Sequence, residues 1–530
     1  MKSSSSLSST WDPKSESHIQ DAKQRLHIWP LDEANTSLLN QVHPKEWSHT
    51  SDDTIYDLIS IGAGAGGLVS SRQTARRGGK SCMISASLAG GDCLNVGCVP
   101  SKALIKSAKL IRQVQKAHSN EFGVTVENVQ IDFDRIMQRM RELRAEIAPI
   151  DGHERGEEIG TTVYQGFGSF VNENTVQVTS PTGEIIQLKF KKAAICTGGR
   201  ATIPPNIQGL NDAPYVTNET LFNLQTLPKH MVILGSGVVA LEMAQCFSTF
   251  GSKVTILVRS NTLFPNSDAE AGPELERILT KNNENIEFLK QTTLTSVETL
   301  SNPTDVAELP LMKLNIDVDG TTTVIDDCDC LLIAAGRTAN VEKLNLEAAN
   351  VQYDVHKGVI VDDYARSVSN PNVYSVGDCT ADVPRLTHMS GEMAKVVVNN
   401  ALFEHDWKLS SLVVPSCMYT EPEFGTVGNV LGGDDVDVYK TSLEHNDRAI
   451  LDSDREGYVK IFCKKGTGEI IGGSIIASRA GEIINEVSLA MKYGISLEEV
   501  GRNIHCYPTT GEAVMGCGLQ LINSKWKRLD

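Results

Sequence analysis

The chain alternates short, largely apolar runs with longer stretches whose apolar residues recur three or four positions apart. That layout predicts buried parallel strands joined by helices. Tyr56 to Ile61 is one such run; it leads into Gly62-Ala63-Gly64-Ala65-Gly66-Gly67, and Leu68 to Arg77 then follows a helical pattern. Lys80 to Ile84 is the next strand. The unit returns with a strand at Met231 to Leu234, the turn Gly235-Ser236-Gly237-Val238-Val239-Ala240, a helix from Leu241 to Phe250 and a strand from Lys253 to Leu257. In a strand–turn–helix setting the first glycine makes the tight turn, the second admits a pyrophosphate and the third lets helix pack on strand. The helix N-terminus then faces the phosphates. Gly62, Gly64, Gly67, Gly235 and Gly237 are therefore candidate dinucleotide-binding residues, with Ala240 the common variant at the third position. Two such turns suggest a bound flavin meeting a diffusible nicotinamide; one degenerate, empty unit is the alternative.

Ahead of the first strand, residues 1–54 carry no helix or strand periodicity over most of their length. Trp11, Trp29-Pro30 and Trp47 argue against a wholly disordered tail and predict an extension draped over the folded body. Its first ten residues hold six serines but no apolar core, and Asp12, Glu16 and Asp21 precede Arg25, so neither a secretory nor a transit signal is expected.

Composition narrows the picture modestly. A chain of 530 residues should hold three or four domains, and 40% hydrophobic content with 43 glycines suits a loop-rich α/β protein. The formal charge of −17 argues against nucleic acid as a partner. No apolar run reaches the eighteen or so residues that would span a membrane. Twelve scattered cysteines, with no Cys-x-x-Cys, point to a reducing compartment rather than a metal site, so the cytoplasm is expected, with an organelle as the alternative.

The strongest candidate chemistry lies in Gly90-Gly91-Asp92-Cys93-Leu94-Asn95-Val96-Gly97-Cys98-Val99-Pro100-Ser101-Lys102. On a regular helix, five residues rise about 7.5 Å and turn about 500°, so the two thiols would point apart. A bridge wants Cα atoms within roughly 7 Å. It closes only if the helix start is distorted, which Gly97 and the preceding Gly-Gly permit. A strained, accessible bridge at a helix start is easily reduced and reoxidised. On spacing alone, two unrelated buried cysteines are the competing reading.

Two nucleotide turns with Gly-Gly-x-Cys-x4-Cys-x-Pro between them resemble the class I pyridine nucleotide–disulfide oxidoreductases. Ala194-Ile195-Cys196-Thr197-Gly198-Gly199-Arg200, Leu332-Ile333-Ala334-Ala335-Gly336-Arg337, Val373-Tyr374-Ser375-Val376-Gly377-Asp378 and the stretch from Val414-Pro415 through Tyr419-Thr420-Glu421-Pro422-Glu423 match later motifs of that family in order. The resemblance covers about residues 55–520 and leaves the extension outside. It implies an α/β fold with two Rossmann-type domains, for FAD and NAD(P), plus a C-terminal α+β dimerisation domain. The domain borders expected are 1–54 (extension), 55–203 and 330–412 (FAD), 204–329 (NAD(P)) and 413–530 (interface).

By resemblance, electrons pass from the nicotinamide through FAD to Cys93–Cys98, with Cys98 next to the flavin and Cys93 meeting the acceptor. Lys102 would pair with Glu242 near the flavin. Gly91, Asp92, Thr197, Gly198, Gly336, Arg337, Gly377 and Asp378 would complete the cofactor contacts, Asp378 bonding the ribityl chain. Residues near Arg259 and from Asp447 to Lys460 look like mercuric-reductase-like members, with dihydrolipoamide-dehydrogenase-like members the neighbouring group.

Three departures stand out. The acid expected on the flavin ribose falls at Ser85. The histidine base expected across a homodimer falls at Tyr507, a poor base near neutral pH; Glu512, its usual orienting partner, is present, and His505 in an extended segment would share the face of Tyr507. The C-terminus has a single Cys517 instead of the vicinal pair of true mercuric reductases. Val258 stands where an acid would read NADH and Arg259 beside it suits a 2′-phosphate, so NADPH is expected over NADH. The acceptor expected is a disulfide, a thiophilic metal or another small molecule. The alternatives are a flavin-bound redox sensor with little turnover, a dihydrolipoamide-dehydrogenase-type enzyme, or a purely structural protein without flavin.

Overall fold

Burial on both faces explains why Ile55–Ile61 is so apolar: this strand lies parallel between Ser81–Ser85 and Ile185–Ile195, and Leu58 and Ile59 have no exposed surface. The computed structural model describes residues 10–47, 53–118, 121–281, 283–303 and 308–527. The serine-rich start, apart from Thr10, lies outside them.

Thr161–Gln165 extends this first sheet beyond Ser81–Ser85, again in parallel. On the other side, Ile185–Ile195 does double duty. Its first residues pair antiparallel with Thr175–Thr179, which continues into Phe167–Asn172, while Ala193 to Ile195 pair parallel with Val373–Ser375. A strand from far along the chain thus completes the first sheet.

The second sheet is wholly parallel, in the order Ile286–Leu289, Lys253–Leu257, His230–Leu234, Cys330–Ile333, with a three-stranded antiparallel sheet beside it. The domain border expected at 330 is therefore one strand early. Cys330–Ile333 is fully buried against Met231 to Leu234, and parallel pairing holds it in the second unit. The two chain crossings between the units run side by side, Gly199–Ala201 antiparallel to Arg337–Ala339. A five-stranded antiparallel sheet starting at Pro415, packed against Ala480–Tyr493 and Glu512–Ser524, forms the C-terminal unit.

The extension departs from expectation. It forms two helices, Glu16–Gln24 and Glu33–Val42, the second capped by Asp32 accepting from the Asn35 N–H at 2.9 Å. Trp11, Ile28, Leu38, Leu39 and Val42 are buried with Leu68, Met83, Leu94 and Ala148 of the first unit. These helices have nine and ten residues and few apolar positions, too little for periodicity to reveal, and tertiary burial stabilises them. The extension is thus part of the core, not a drape. Among the described residues no helix is long and apolar enough to cross a membrane.

Candidate active site

The cysteine pair sits on two helices rather than on one distorted start. Gly91–Asn95 forms a short helix carrying Cys93; the chain breaks at Val96 (φ −142°), and Cys98 opens the helix Cys98–His118. The break returns the second sulfur toward the first, which continuous helix could not do. Gly97 is needed at the break because a Cβ there would stand 2.8 Å from the Asp92 carbonyl oxygen.

Both cysteines are free thiols and half-buried. A hydrogen bond from Cys93 holds the Cys98 thiol down to about 6 against the opposing effect of burial, with help from Thr387 and Lys102. The same bond, with burial, pushes Cys93 well above the usual thiol range. Near neutral pH the pair therefore carries one proton, on Cys93, and one negative charge, on Cys98. The Thr387 hydroxyl lies 3.3 Å from the Cys98 sulfur.

One turn along the helix, Lys102 Nζ meets the Glu242 carboxylate at 2.9 Å. Glu242 is buried on the second nucleotide helix, and its other oxygen accepts the Tyr419 N–H at 2.9 Å. The Lys102 ammonium also stands 4.7 Å from the centre of the Tyr419 ring. The pair predicted from sequence is thus formed, with a third residue closing around it.

A cleft of about 1640 Å³ joins these elements. Gly62, Gly64, Ser85, Gly91, Asp92, Cys93, Cys98, Lys102, Thr197 and Gly198 line it, as do Gly237, Glu242, Gly336, Arg337, Gly377 and Asp378. Gly67 and Gly235 lie behind its wall: a Cβ on Gly67 would fall 1.8 Å from the Gly62 carbonyl oxygen, and one on Gly235 2.3 Å from that of Ala334.

The residues fit two dinucleotides. The helices Ala65–Arg76 and Val238–Phe250 both begin at a glycine with no side-chain cap, leaving backbone N–H groups for an anion. A Cβ on Gly237 would meet nothing within 4 Å, which is room for a pyrophosphate. Arg337 donates to Asp378 at 3.0 Å and to Asp92 at 2.5 Å, tying the ribityl-binding candidate to the cysteine loop. Ser85 is fully buried, and its hydroxyl donates to the Ser87 carbonyl at 3.2 Å.

Past the end of the strand Lys253–Leu257, Val258 is buried in the core. Arg259 is exposed and has no acidic partner among the described residues.

Tyr507 and Glu512 lie away from the cleft of their own chain. The Tyr507 hydroxyl donates to Asp447 at 2.7 Å, and Glu512 accepts the Thr509 N–H at 3.1 Å. His505 bonds Glu486 at 2.8 Å, so it faces a different element from Tyr507, contrary to the shared face expected of an extended segment. The segment 504–508 is neither helix nor strand and bends at Tyr507 and Pro508.

Sequence reasoning missed Thr387, the role of Tyr419, and Arg25, Leu26 and His27 of the extension, which also line the cleft. Tyr419 stood inside a recognised motif. Thr387, 289 positions from Cys98, gave no local signal.

Residues 56–394 match the family model described as pyridine nucleotide-disulphide oxidoreductase, and 414–516 match that family's dimerisation domain. The chain belongs to this family. It is a FAD-dependent oxidoreductase that uses NAD(P)H, and it carries the domain through which the family forms homodimers.

Relatives of this oxidoreductase include a mercuric reductase from Lysinibacillus sphaericus, 28% identical over 508 residues, covering 94% of this chain and 89% of that protein. A dihydrolipoyl dehydrogenase from Geobacillus stearothermophilus is 30% identical over 466 residues, covering 87% and 94%. Among solved structures, LpdA from Mycobacterium tuberculosis superposes with a TM-score of 0.77 at 23% identity, covering 88% of this chain and 100% of that one. The Cu(II) complex of the HOCl-induced flavoprotein disulfide reductase RclA from Escherichia coli gives 0.75 at 23% identity, with the same coverage. These two likenesses show the fold.

Proposed function

We propose that this oxidoreductase is an NADPH-linked reductase of a small, thiol-reactive acceptor, either a reactive disulfide or a soft metal ion. Cys93 is the thiol that meets the acceptor and Cys98 the thiolate beside the flavin. The observation that carries the reading is the Cys93–Cys98–Thr387 cluster, with the Thr387 hydroxyl 3.3 Å from the Cys98 sulfur, lining a cleft reached by both nucleotide turns.

FAD, when bound, supplies two-electron transfer between the nicotinamide and this pair. For a disulfide acceptor, Cys98 takes the proton of Cys93 as the Cys93 sulfur attacks, forming a mixed disulfide and expelling one thiolate. That thiolate recovers the proton from Cys98. Cys98 then attacks the Cys93 sulfur, forming the Cys93–Cys98 bond and releasing the second thiolate, which solvent protonates. The acceptor gains two electrons and two protons, and the pair is oxidised. In this scheme the pair manages its own proton. That accounts for a phenol at 507, since its bond to Asp447 raises the Tyr507 hydroxyl further above the usual phenol range.

Tyr507 and Glu512 from a second copy complete the pocket. Unpaired Arg259 supports NADPH through its 2′-phosphate. The scattered cysteines, with no Cys-x-x-Cys, support a reducing compartment, the cytoplasm.

The test is anaerobic NADPH consumption against a panel of disulfides, quinones and thiophilic metals. At least one disulfide or soft metal should be reduced by the native protein, with a loss of about a thousandfold in the Cys93→Ser/Cys98→Ser variant. Equal acceptor turnover in the double variant overturns the proposal.

A further inference from the structure

The flavin-side cleft has a wall that the family core does not provide. Its adenosine end, at Ser85 to Leu88, is also lined by Arg25, Leu26 and His27 of the N-terminal extension. Two bonds fasten the extension there, and a third, within the extension, braces His43. The His43 Nδ1–H donates to the Ser87 carbonyl at 2.9 Å, the Ala89 N–H donates to the Val42 carbonyl at 2.9 Å, and the Trp11 indole N–H donates to the His43 carbonyl at 2.8 Å. Burial holds His43 down to about 4, so the ring is neutral. With its proton on Nδ1, Nε2 accepts from Arg25 at 3.1 Å and from Gln165 at 3.3 Å. Arg25 is oriented in turn by Asp21, through Nε at 2.5 Å and Nη2 at 2.9 Å. Its Nη1 has no partner among the described residues.

The turn that presents these residues is itself constrained. His27 has a left-handed backbone (φ +55°), which is unfavourable for a non-glycine residue. The Asn223 side chain holds it, donating to the His27 carbonyl at 2.8 Å and accepting the Trp29 N–H at 3.2 Å. Leu26 beside it is buried.

The charge at this end is the reverse of what an acid on the ribose would create. Ser85 is buried with its hydroxyl committed to Ser87, so the strand end offers the ribose no anion. The extension brings a guanidinium instead, with free donors. Ribose oxygens and the adenosine-side phosphate are both acceptors that such donors suit.

We propose that residues 21–43 are a clasp for the adenosine half of FAD, with Arg25 a cofactor-binding residue that replaces the acid missing at position 85. This rests on the flavoenzyme reading above. His43 is a positioning residue that fixes the Ser87 loop and aims Arg25.

The test uses the full chain, stripped of flavin and titrated with FAD and separately with FMN, which lacks the adenosine half. Flavin fluorescence reports binding, and melting of the flavin-free protein reports the fold. In Arg25→Ala the FAD dissociation constant should rise about tenfold or more, with FMN affinity and the flavin-free melting temperature unchanged; Arg25→Lys should recover part of the loss. Unchanged FAD affinity in Arg25→Ala overturns the clasp, as does an equal loss for FMN and FAD. A native protein that binds no FAD under any condition instead defeats the flavoenzyme reading on which the clasp stands.

Discussion

The two nucleotide turns are nearly identical in backbone and opposite in surroundings. Gly62 has φ +118° and Gly235 φ +117°, and a Cβ on either would fall about 2.2–2.3 Å from a carbonyl oxygen of the neighbouring strand's exit, Cys196 or Ala334. Beyond the turn the likeness ends. The first helix, Ala65–Arg76, buries Leu68 under the extension, and the cleft in front of it is closed at one end by Arg25 to His27. The second helix starts with Val238 and Val239 at 42% and 45% exposure, and Arg259 is exposed with no acidic partner among the described residues. One local motif therefore stands where chain closes over the cleft and again where the cleft stays open. The motif selects for phosphates; the walls set residence time.

The largest expected effect separates steric need from ligand space. Gly62→Ala adds a methyl against backbone at a positive φ and should destabilise the fold by about 3 kcal/mol or more, seen as a lowered thermal midpoint and loss of flavin. Gly237→Ala meets nothing in the protein, so the midpoint should hold while the KM for NAD(P)H climbs. Equal destabilisation by both substitutions would erase the distinction between the turns.

A smaller effect comes from the thiol pair between the two sites. With its pKa lowered from 9.0 to about 6, Cys98 is a thiolate at neutral pH and gains its proton as the pH falls through 6. Iodoacetamide labelling of Cys98, followed by peptide mass spectrometry, should therefore slow about tenfold per pH unit below that point. A midpoint near 9 would show that Cys93 does not share its proton.

The smallest concerns the open site alone. Arg259→Ala should raise the KM for NADPH about fivefold and leave that for NADH unchanged, as loss of a solvent-facing phosphate contact costs about 1 kcal/mol. Loss of both cofactors alike would place Arg259 elsewhere in the nucleotide path.

What could be read along the chain was local. Gly62, Gly97 and Gly235 answer to backbone atoms, and the spacing of Cys93 and Cys98 already required a departure from regular helix, though one distorted start was expected and two helices are found. Lys102 and Glu242 were paired through a family resemblance rather than by any rule of spacing. The extension was misread because Glu16–Gln24 and Glu33–Val42 are short, polar and held by burial of Trp11, Leu38 and Leu39 under other elements. His505 was misplaced for a similar reason: alternation holds for strands, and the segment before Pro508 is not one.

Residue order thus made the two glycine turns, the Cys93–Cys98 spacing and the family legible, because each depends on neighbours a few positions away. Packing alone brought Thr387 to Cys98, Tyr419 to Lys102 and Arg25 to the flavin cleft. Those partners are separated by dozens to hundreds of positions, and only closure of the core, driven by apolar burial, makes them neighbours.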